Sequence, residues 1–330
     1  MRRLFVYCLI FLTISALVGG VGLGLIYVRL TGPGPLAQGT TLAIPRGAGS
    51  EAIAQQLNQA GIVADRALFS LAARIAARQE PLKAGEYRFP ARISGIDAIR
   101  LLQSGKTVIR RLTVAEGLTT RQIVQQLLAT EGLEGSIDPI PAEGTLLPET
   151  YHFSYGDQRK AIIERMQRAM RDALAALWAD RSVGPVIKTP EQAVVLASVV
   201  EKETGIPAER PRIAAVFLNR LAAGMRLQSD PTVVYVVGGG LPLGRALTRA
   251  DLQMPSPYNT YLVDGLPPTP IANPGRAALA AVMRPASSEE FYFVADGTGG
   301  HVFARTLEEH NRNVLRWRKL RREKGAGNGG

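Results

Sequence analysis

The sequence predicts an α+β fold: an N-terminal transmembrane helix, a βααβ unit, then a domain in which helices and short strands are mixed. Three observations carry this. An uncharged apolar run covers Leu4–Val28. A strand, glycine turn and amphipathic helix pattern occurs twice, pairing Leu42 with Leu112, Gly47 with Gly117 and Ile53 with Ile123, an offset of 70 residues. Further along, helical periodicities interleave with short strand-like runs, without the regular alternation that builds a parallel sheet.

The apolar run reaches roughly 37 Å as a helix, enough to span a bilayer with some tilt. It exceeds the roughly 7–15 apolar residues of a cleaved signal peptide, and Gly19–Gly24 offers no clear small-x-small site, so an uncleaved anchor over 4–28 is expected. Arg2, Arg3 and the amino terminus outweigh Arg29. The positive-inside rule then keeps residues 1–3 in the cytoplasm and puts the rest outside the inner membrane, in the periplasm. "TGPGPLAQG" reads as part of a linker over 29–39.

Within 40–110, Leu42 and Ile44 alternate as in a strand, Gly47 and Gly49 mark a turn, and Ser50 reads as the N-cap of a helix carrying Ile53 and Leu57. A second helix, Arg66–Ala77, leads to a strand at "AGEYRFPA". Modules of this order resemble LysM domains, which bind glycans containing N-acetylglucosamine. A plain structural spacer is the alternative. The larger domain covers 111–325, with 326–330 as a flexible tail. It contains a long helix over Arg159–Trp178, a helix capped by Thr189 with Pro190 at its first position, and another over Pro211–Ala223. Asn273 before Pro274 reads as a helix cap, "FYFVADGTGGHVFART" as a hairpin around Gly297–Gly300, and a final helix follows.

The chain of 330 residues has 39 Lys and Arg against 28 Asp and Glu. Basic residues are scattered except in "RWRKLRREK", Arg316–Lys324, which reads as the solvated face of the last helix. No aromatic-interleaved basic stripe or nucleic-acid module is present, so a nucleic-acid partner is not expected. Cys8 is the only cysteine, which rules out an intrachain disulfide. With three histidines and no other thiol a Cys/His zinc site is excluded, and no metal or cofactor is expected.

Chemistry concentrates in "ASVVEKETG", Ala197–Gly205, where an apolar helix runs into two carboxylates. Glu201 and Glu203 stand about 200° apart around a helix axis, so they cannot face one site together. Glu201 extends the Val194–Ala197 stripe and is the favoured tuned acid. A negative helix terminus and apolar neighbours both push a glutamate's pKa upward. Glu203 is open to an ion pair with Lys202, Arg210 or Arg212. Gln228, Ser229 and Asp230, in a turn before a strand, are candidates for sugar hydroxyls or for orienting Glu201. Tyr258 and Asn259 offer a stacking face and amide contacts, and His301 is a further candidate for the cleft.

Together "ASVVEKETG", "AAVFLNRLAAGMRLQSDPTVVY", "SPYNTYLVDGLPPTPIANPG" and "FYFVADGTGGHVFART" resemble successive motifs of the YceG-like family, the endolytic murein transglycosylases. "LLPETY" resembles another, usually written with Asp where Glu149 stands. The resemblance covers nearly the whole chain. It implies a lyase cutting the β-1,4 bond between N-acetylmuramic acid and N-acetylglucosamine within nascent peptidoglycan, leaving 1,6-anhydro ends and ending strand elongation. It carries the catalytic role to the first Glu of E-K-E-T, Glu201. Implied partners are glycan strands, the inner membrane and peptidoglycan synthases. A non-catalytic glycan-binding scaffold and a hydrolytic muramidase, with Asp230 activating water, are the alternatives.

Overall fold

The computed structural model describes residues 2–327. In chain order come α1 (Arg2–Thr31), β1 (Thr40–Ile44), α2 (Ser50–Gln59), α3 (Arg66–Ala76), β2 (Gly85–Phe89) and α4 (Gly95–Ser104). Next are β3 (Arg110–Thr113), α5 (Thr120–Ala129), β4 (Leu133–Glu134), β5 (Thr150–Phe153), β6 (Asp157–Gln158) and α6 (Arg159–Ala179). They are followed by α7 (Pro190–Glu203), α8 (Arg210–Ala222), α9 (Asp230–Val237), α10 (Arg249–Leu252) and α11 (Arg276–Met283). The hairpin strands β7 (Tyr292–Ala295) and β8 (His301–Ala304) and the helix α12 (Leu307–Gly327) close the chain. The fold is α+β. The tail read from sequence at 326–330 lies mostly outside the described residues, as does Met1.

The chain divides into two compact units. One holds residues up to Arg110 with 131–134 and 152–157; the other holds 111–130, 135–151 and the chain from Gln158 onward. In the first, α1 runs past Val28 to Thr31 and is the one helix among the described residues long and apolar enough to cross a membrane. β1 pairs antiparallel with β2, Leu42 opposite Tyr87. Helices α2, α3 and α4 bury Ile53 and Leu57, Phe69 and Ala73, and Ile99 and Leu102 against that ribbon. Each such Leu, Ile or Phe contributes roughly 1.5–3 kcal/mol by leaving water. Asp65 caps α3 by accepting from Leu68 N at 2.9 Å, and Ser94 caps α4 by accepting from Asp97 N at 3.1 Å. The order is therefore βααβ with α4 appended. Ser50 opens α2 as its first residue while Gly49 holds the cap position without a side-chain bond, a correction of one residue.

In the second unit α7 is the central element, with residues Ala193–Glu201 all buried. Its neighbours α6, α8 and α11 complete a core of Leu196, Val199, Ile213, Phe217, Leu279 and Val282. That packing explains why α7 is apolar on every side rather than along one stripe. Thr189 caps it, accepting from Gln192 N at 3.3 Å, with Pro190 in its first turn. In the hairpin Phe293 stands opposite Phe303 and Ala295 opposite His301.

Two sequence expectations are corrected here. Asp230 does not lead into a strand: it opens α9. Pro231 in the first turn has φ preset for a helix, and Thr232 donates from both N (3.1 Å) and Oγ1 (2.7 Å) to the Ser229 carbonyl, overriding the β-branched run that follows. Asn273 does not cap α11. Gly275 holds the cap position, and the fully buried Asn273 joins three loops instead.

Candidate active site

The Glu201 side chain is only 4% exposed, and both its oxygens are occupied. Oε1 accepts from Arg210 Nη2 at 2.9 Å, and Oε2 accepts from the backbone N of Gly275 at 2.9 Å. The same Arg210 nitrogen donates to Glu116 Oε2 at 3.2 Å, making a Glu–Arg–Glu triad. Burial pushes the Glu201 pKa upward. The Gly275 N–H and Arg210 oppose that, and the Glu116 charge adds to it. A side chain at Gly275 would meet the Glu116 carboxylate and force that side chain to shift away from its place beside Arg210. Asn273 fixes the 273–275 loop: Oδ1 accepts from Leu146 N at 2.9 Å, and Nδ2 donates to Glu143 Oε1 at 2.9 Å. Glu143 also accepts from Thr120 N at 2.7 Å at the start of α5.

Two residues on, Glu203 meets a different set of groups. Its Oε2 accepts from the Ser229 hydroxyl at 2.8 Å, a neutral partner in place of a guanidinium. Desolvation pushes its pKa up. The Ser229 bond opposes this, Asp230 adds like-charge repulsion, and His301 and Arg220 counter it. Asp230 itself is exposed and accepts from the Tyr261 hydroxyl at 2.6 Å. Arg220 is buried at 7% exposure and spends its guanidinium on the carbonyls of Phe291 and Leu227, both at 2.6 Å. His301 pairs through Nδ1 with Glu209 Oε2 at 2.8 Å. Gln228 is exposed with φ 49°, and its N donates to the Thr260 carbonyl at 3.1 Å.

The structure thus puts the Ser229 hydroxyl on Glu203, and the charges of Asp230 and His301 act on Glu203 rather than on Glu201. Glu203 does not form the ion pairs the sequence left open: Arg210 is taken by Glu201, and Arg212 by Glu290. Asn259 is corrected from sugar contact to loop structure. It is 1% exposed, its Nδ2 donates to the carbonyls of Leu252 (3.0 Å) and Met254 (2.9 Å), and its Oδ1 accepts from Tyr261 N (3.0 Å). Tyr258 shares a hydrogen bond with Thr269 Oγ1 at 2.7 Å, and its ring lies 5.3 Å from that of Tyr235.

Residues 42–316 match the model of the YceG-like family. The chain belongs to this family. An endolytic murein transglycosylase of Streptococcus pneumoniae serotype 2 is 30% identical over 322 residues, covering 83% of this chain and 57% of that protein. A Bacillus subtilis protein of the same description is 37% identical over 185 residues, covering 56% of this chain and 50% of the relative. The chain therefore spans about half the length of these relatives. A crystal structure of a yceG-like protein from Listeria monocytogenes is 31% identical, with a TM-score of 0.50 over 84% of this chain and 99% of that one. Sequence reasoning had missed four residues of this YceG-like site: Glu116, Glu143, Glu209 and Tyr261. Only Glu116 carried a signal, standing beside Gly117 in the second copy of the repeat.

Proposed function

We propose that this chain is a membrane-anchored endolytic lytic transglycosylase of peptidoglycan, and that Glu203 is its acid. The observation that carries the choice of Glu203 is the contrast in carboxylate partners. A general acid must hold a proton and reach the substrate. Both oxygens of Glu201 are taken, by a cation and a backbone N–H, and although burial raises its pKa these two partners oppose the protonated form and leave no free oxygen for a substrate. Glu203 is half-buried, its partner is a hydroxyl, and desolvation and Asp230 favour the protonated form. The role that the motif resemblance gave to Glu201 thus passes two residues along.

The substrate is the β-1,4 bond between N-acetylmuramic acid and N-acetylglucosamine inside nascent strands, a reading supported by the family and the names of its relatives. Glu203 donates its proton to the bridging oxygen as the bond to C1 breaks. The resulting carboxylate takes the proton of the C6 hydroxyl as O6 closes on C1. The glycan is left with a 1,6-anhydro end, no water is consumed, and Glu203 returns to its acid form. The intramolecular nucleophile makes a second, water-activating carboxylate unnecessary. Asp230, exposed and close enough to act on Glu203, keeps a hydrolytic variant of the same site in view. In this reading α1 anchors the chain with its N-terminus in the cytoplasm, the unit around β1 and β2 adds glycan affinity as LysM-like modules do, and cleavage beside the synthases ends strand growth.

The test is mass spectrometry of fragments released from isolated sacculi by the full chain in detergent. Products should be lighter than hydrolysed ends by one water; reducing ends would assign the hydrolytic chemistry. Glu203→Gln should lose roughly 10²–10⁴-fold in turnover with an unchanged melt. Glu201→Gln should lose less. Because the folded-state pKa of Glu203 is raised, the wild type should keep working above the usual glutamate range and lose activity as pH rises through that value. An inactive, well-folded Glu201→Gln beside an active Glu203→Gln would return the acid to Glu201.

A further inference from the structure

The pair formed by Glu209 and His301 is not used in the mechanism above, yet two hydrogen bonds join its members and a third ties it to Thr204 at the end of α7. Glu209 lies in a single 3₁₀ turn, Pro207–Glu209. Its Oε1 accepts from the backbone N of His301 at 2.8 Å, and its Oε2 pairs with His301 Nδ1 at 2.8 Å. That oxygen also accepts from Thr204 Oγ1 at 3.1 Å, and Thr204 is the residue next to Glu203. The Thr204 hydroxyl in turn accepts from Ile206 N at 3.0 Å, so the turn leaving α7 is stapled at both ends. Both side chains of the pair are sheltered, 15% exposed for His301 and 17% for Glu209. Against the effect of burial, the bonds from His301 hold the Glu209 carboxyl below the usual range, so it stays ionised. An ionised carboxylate on Nδ1 fixes the imidazole with its proton on that nitrogen and leaves Nε2 outside the pair. The edge of the ring against Phe293, 5.3 Å between centroids at 87°, sets its plane.

We propose that Glu209 and His301 are a positioning pair for Glu203: through the Thr204 hydroxyl they fix the end of α7 and with it the register of the Glu203 carboxyl. This rests on Glu203 as the acid. When Glu203 gives up its proton it becomes a carboxylate in desolvated surroundings, beside Asp230 on α9. The positive groups that face it are His301 on β8 and the buried Arg220 on α8.

The experiment compares Glu203→Gln, His301→Gln, Glu209→Gln and the His301→Gln/Glu209→Gln double variant in the sacculus assay, with thermal melts. His301→Gln should keep its fold and lose on the order of 10²-fold in turnover rather than in apparent affinity, the scale of a mispositioned reacting group. Glu209→Gln should lose a similar factor, and the double variant should be no worse than either single, because the pair acts as one unit. A role confined to stability would lower the melt and leave the turnover of the folded protein in place, which would overturn the proposal. So would multiplicative losses in the double variant, or a full-rate His301→Gln beside an inactive Glu203→Gln. An active Glu203→Gln would instead sink the assignment of the acid itself.

Discussion

The two copies of the strand, glycine turn and helix pattern share a backbone and little else. Gly47 has φ 80° and Gly117 φ 74°, the left-handed region in both turns. Ile53 and Ile123, then Leu57 and Leu127, are the buried positions of the two helices. The surroundings of the turns differ. A side chain at Gly47 would meet nothing within 4 Å, whereas at Gly117 it would sit 3.4 Å from both Glu201 Cγ and Lys202 Cδ. Gly117 also donates to the Asn273 carbonyl at 3.0 Å and accepts from Lys202 Nζ at 3.2 Å. The residue before each glycine differs in sign. Arg46 makes a 3.9 Å surface pair with Asp157, and Glu116 enters the triad on Arg210. One local solution to folding has thus been reused, and in the second copy the turn has been recruited to support the end of α7.

The sharpest way to break the second copy's role is Arg210→Met. It leaves Glu201 buried beside Glu116 with no cation between them. Removing one partner of a buried pair costs about 3–5 kcal/mol. The sign with pH follows from Glu201. Its folded-state pKa is already raised, and losing Arg210 raises it further. A raised carboxyl costs nothing while protonated and destabilises as pH rises through its folded value. The deficit of Arg210→Met should therefore be largest at neutral pH and shrink on acidification. Urea melts at several pH values check this; a deficit that grew in acid would show that Glu201 is not the group left uncompensated.

Local pattern made much of this legible. The cap at Thr189, Pro190 and the unbroken apolar run marked α7 as central, and the paired Gly-Gly region marked the hairpin. The choice between two carboxylates was not legible, because it depends on partners far away in sequence. Arg210 lies nine residues from Glu201 yet also reaches Glu116, 94 residues away, and Ser229 meets Glu203 across 26. Helical periodicity shows which faces differ; it says nothing about which face finds an arginine and which a serine. Asp230 misled for a related reason, since the β-branched run after it suits a strand until Pro231 is seen as a first-turn residue.

A second test sets the two glycines side by side. Alanine at either position meets the same left-handed strain, about 1–2 kcal/mol. Gly47→Ala should lower stability by that amount and leave glycan cleavage unchanged. Gly117→Ala should lose similar stability and also turnover, by up to about 10²-fold, because its turn touches Glu201 and Lys202. Thermal melts paired with the sacculus assay separate the two effects. Equal activity in both variants would mean that the second turn supports the fold only.

The smallest effects should come from the residues that precede the glycines. In Arg46→Ala an exposed pair is lost, with side chains 58% and 36% exposed, so the change should stay below about 1 kcal/mol and disappear in high salt. Glu116→Gln removes an anion whose side chain is 41% exposed, and it does two opposing things. It weakens one contact of Arg210, which still holds Glu201. It also relieves the repulsion that helps to raise the Glu201 pKa. Near neutral pH, where Glu201 is pressed to ionise, the two offset and the variant should melt close to wild type. In mild acid, with Glu201 protonated and the Glu116–Arg210 pair of the wild type still in place, only the lost contact remains and the variant should be the weaker. Arg46→Ala has no such buried partner, so its small deficit should vary with salt far more than Glu116→Gln does. A Glu116→Gln deficit that faded in salt, and did not grow on acidification, would make the second copy's turn as superficial as the first.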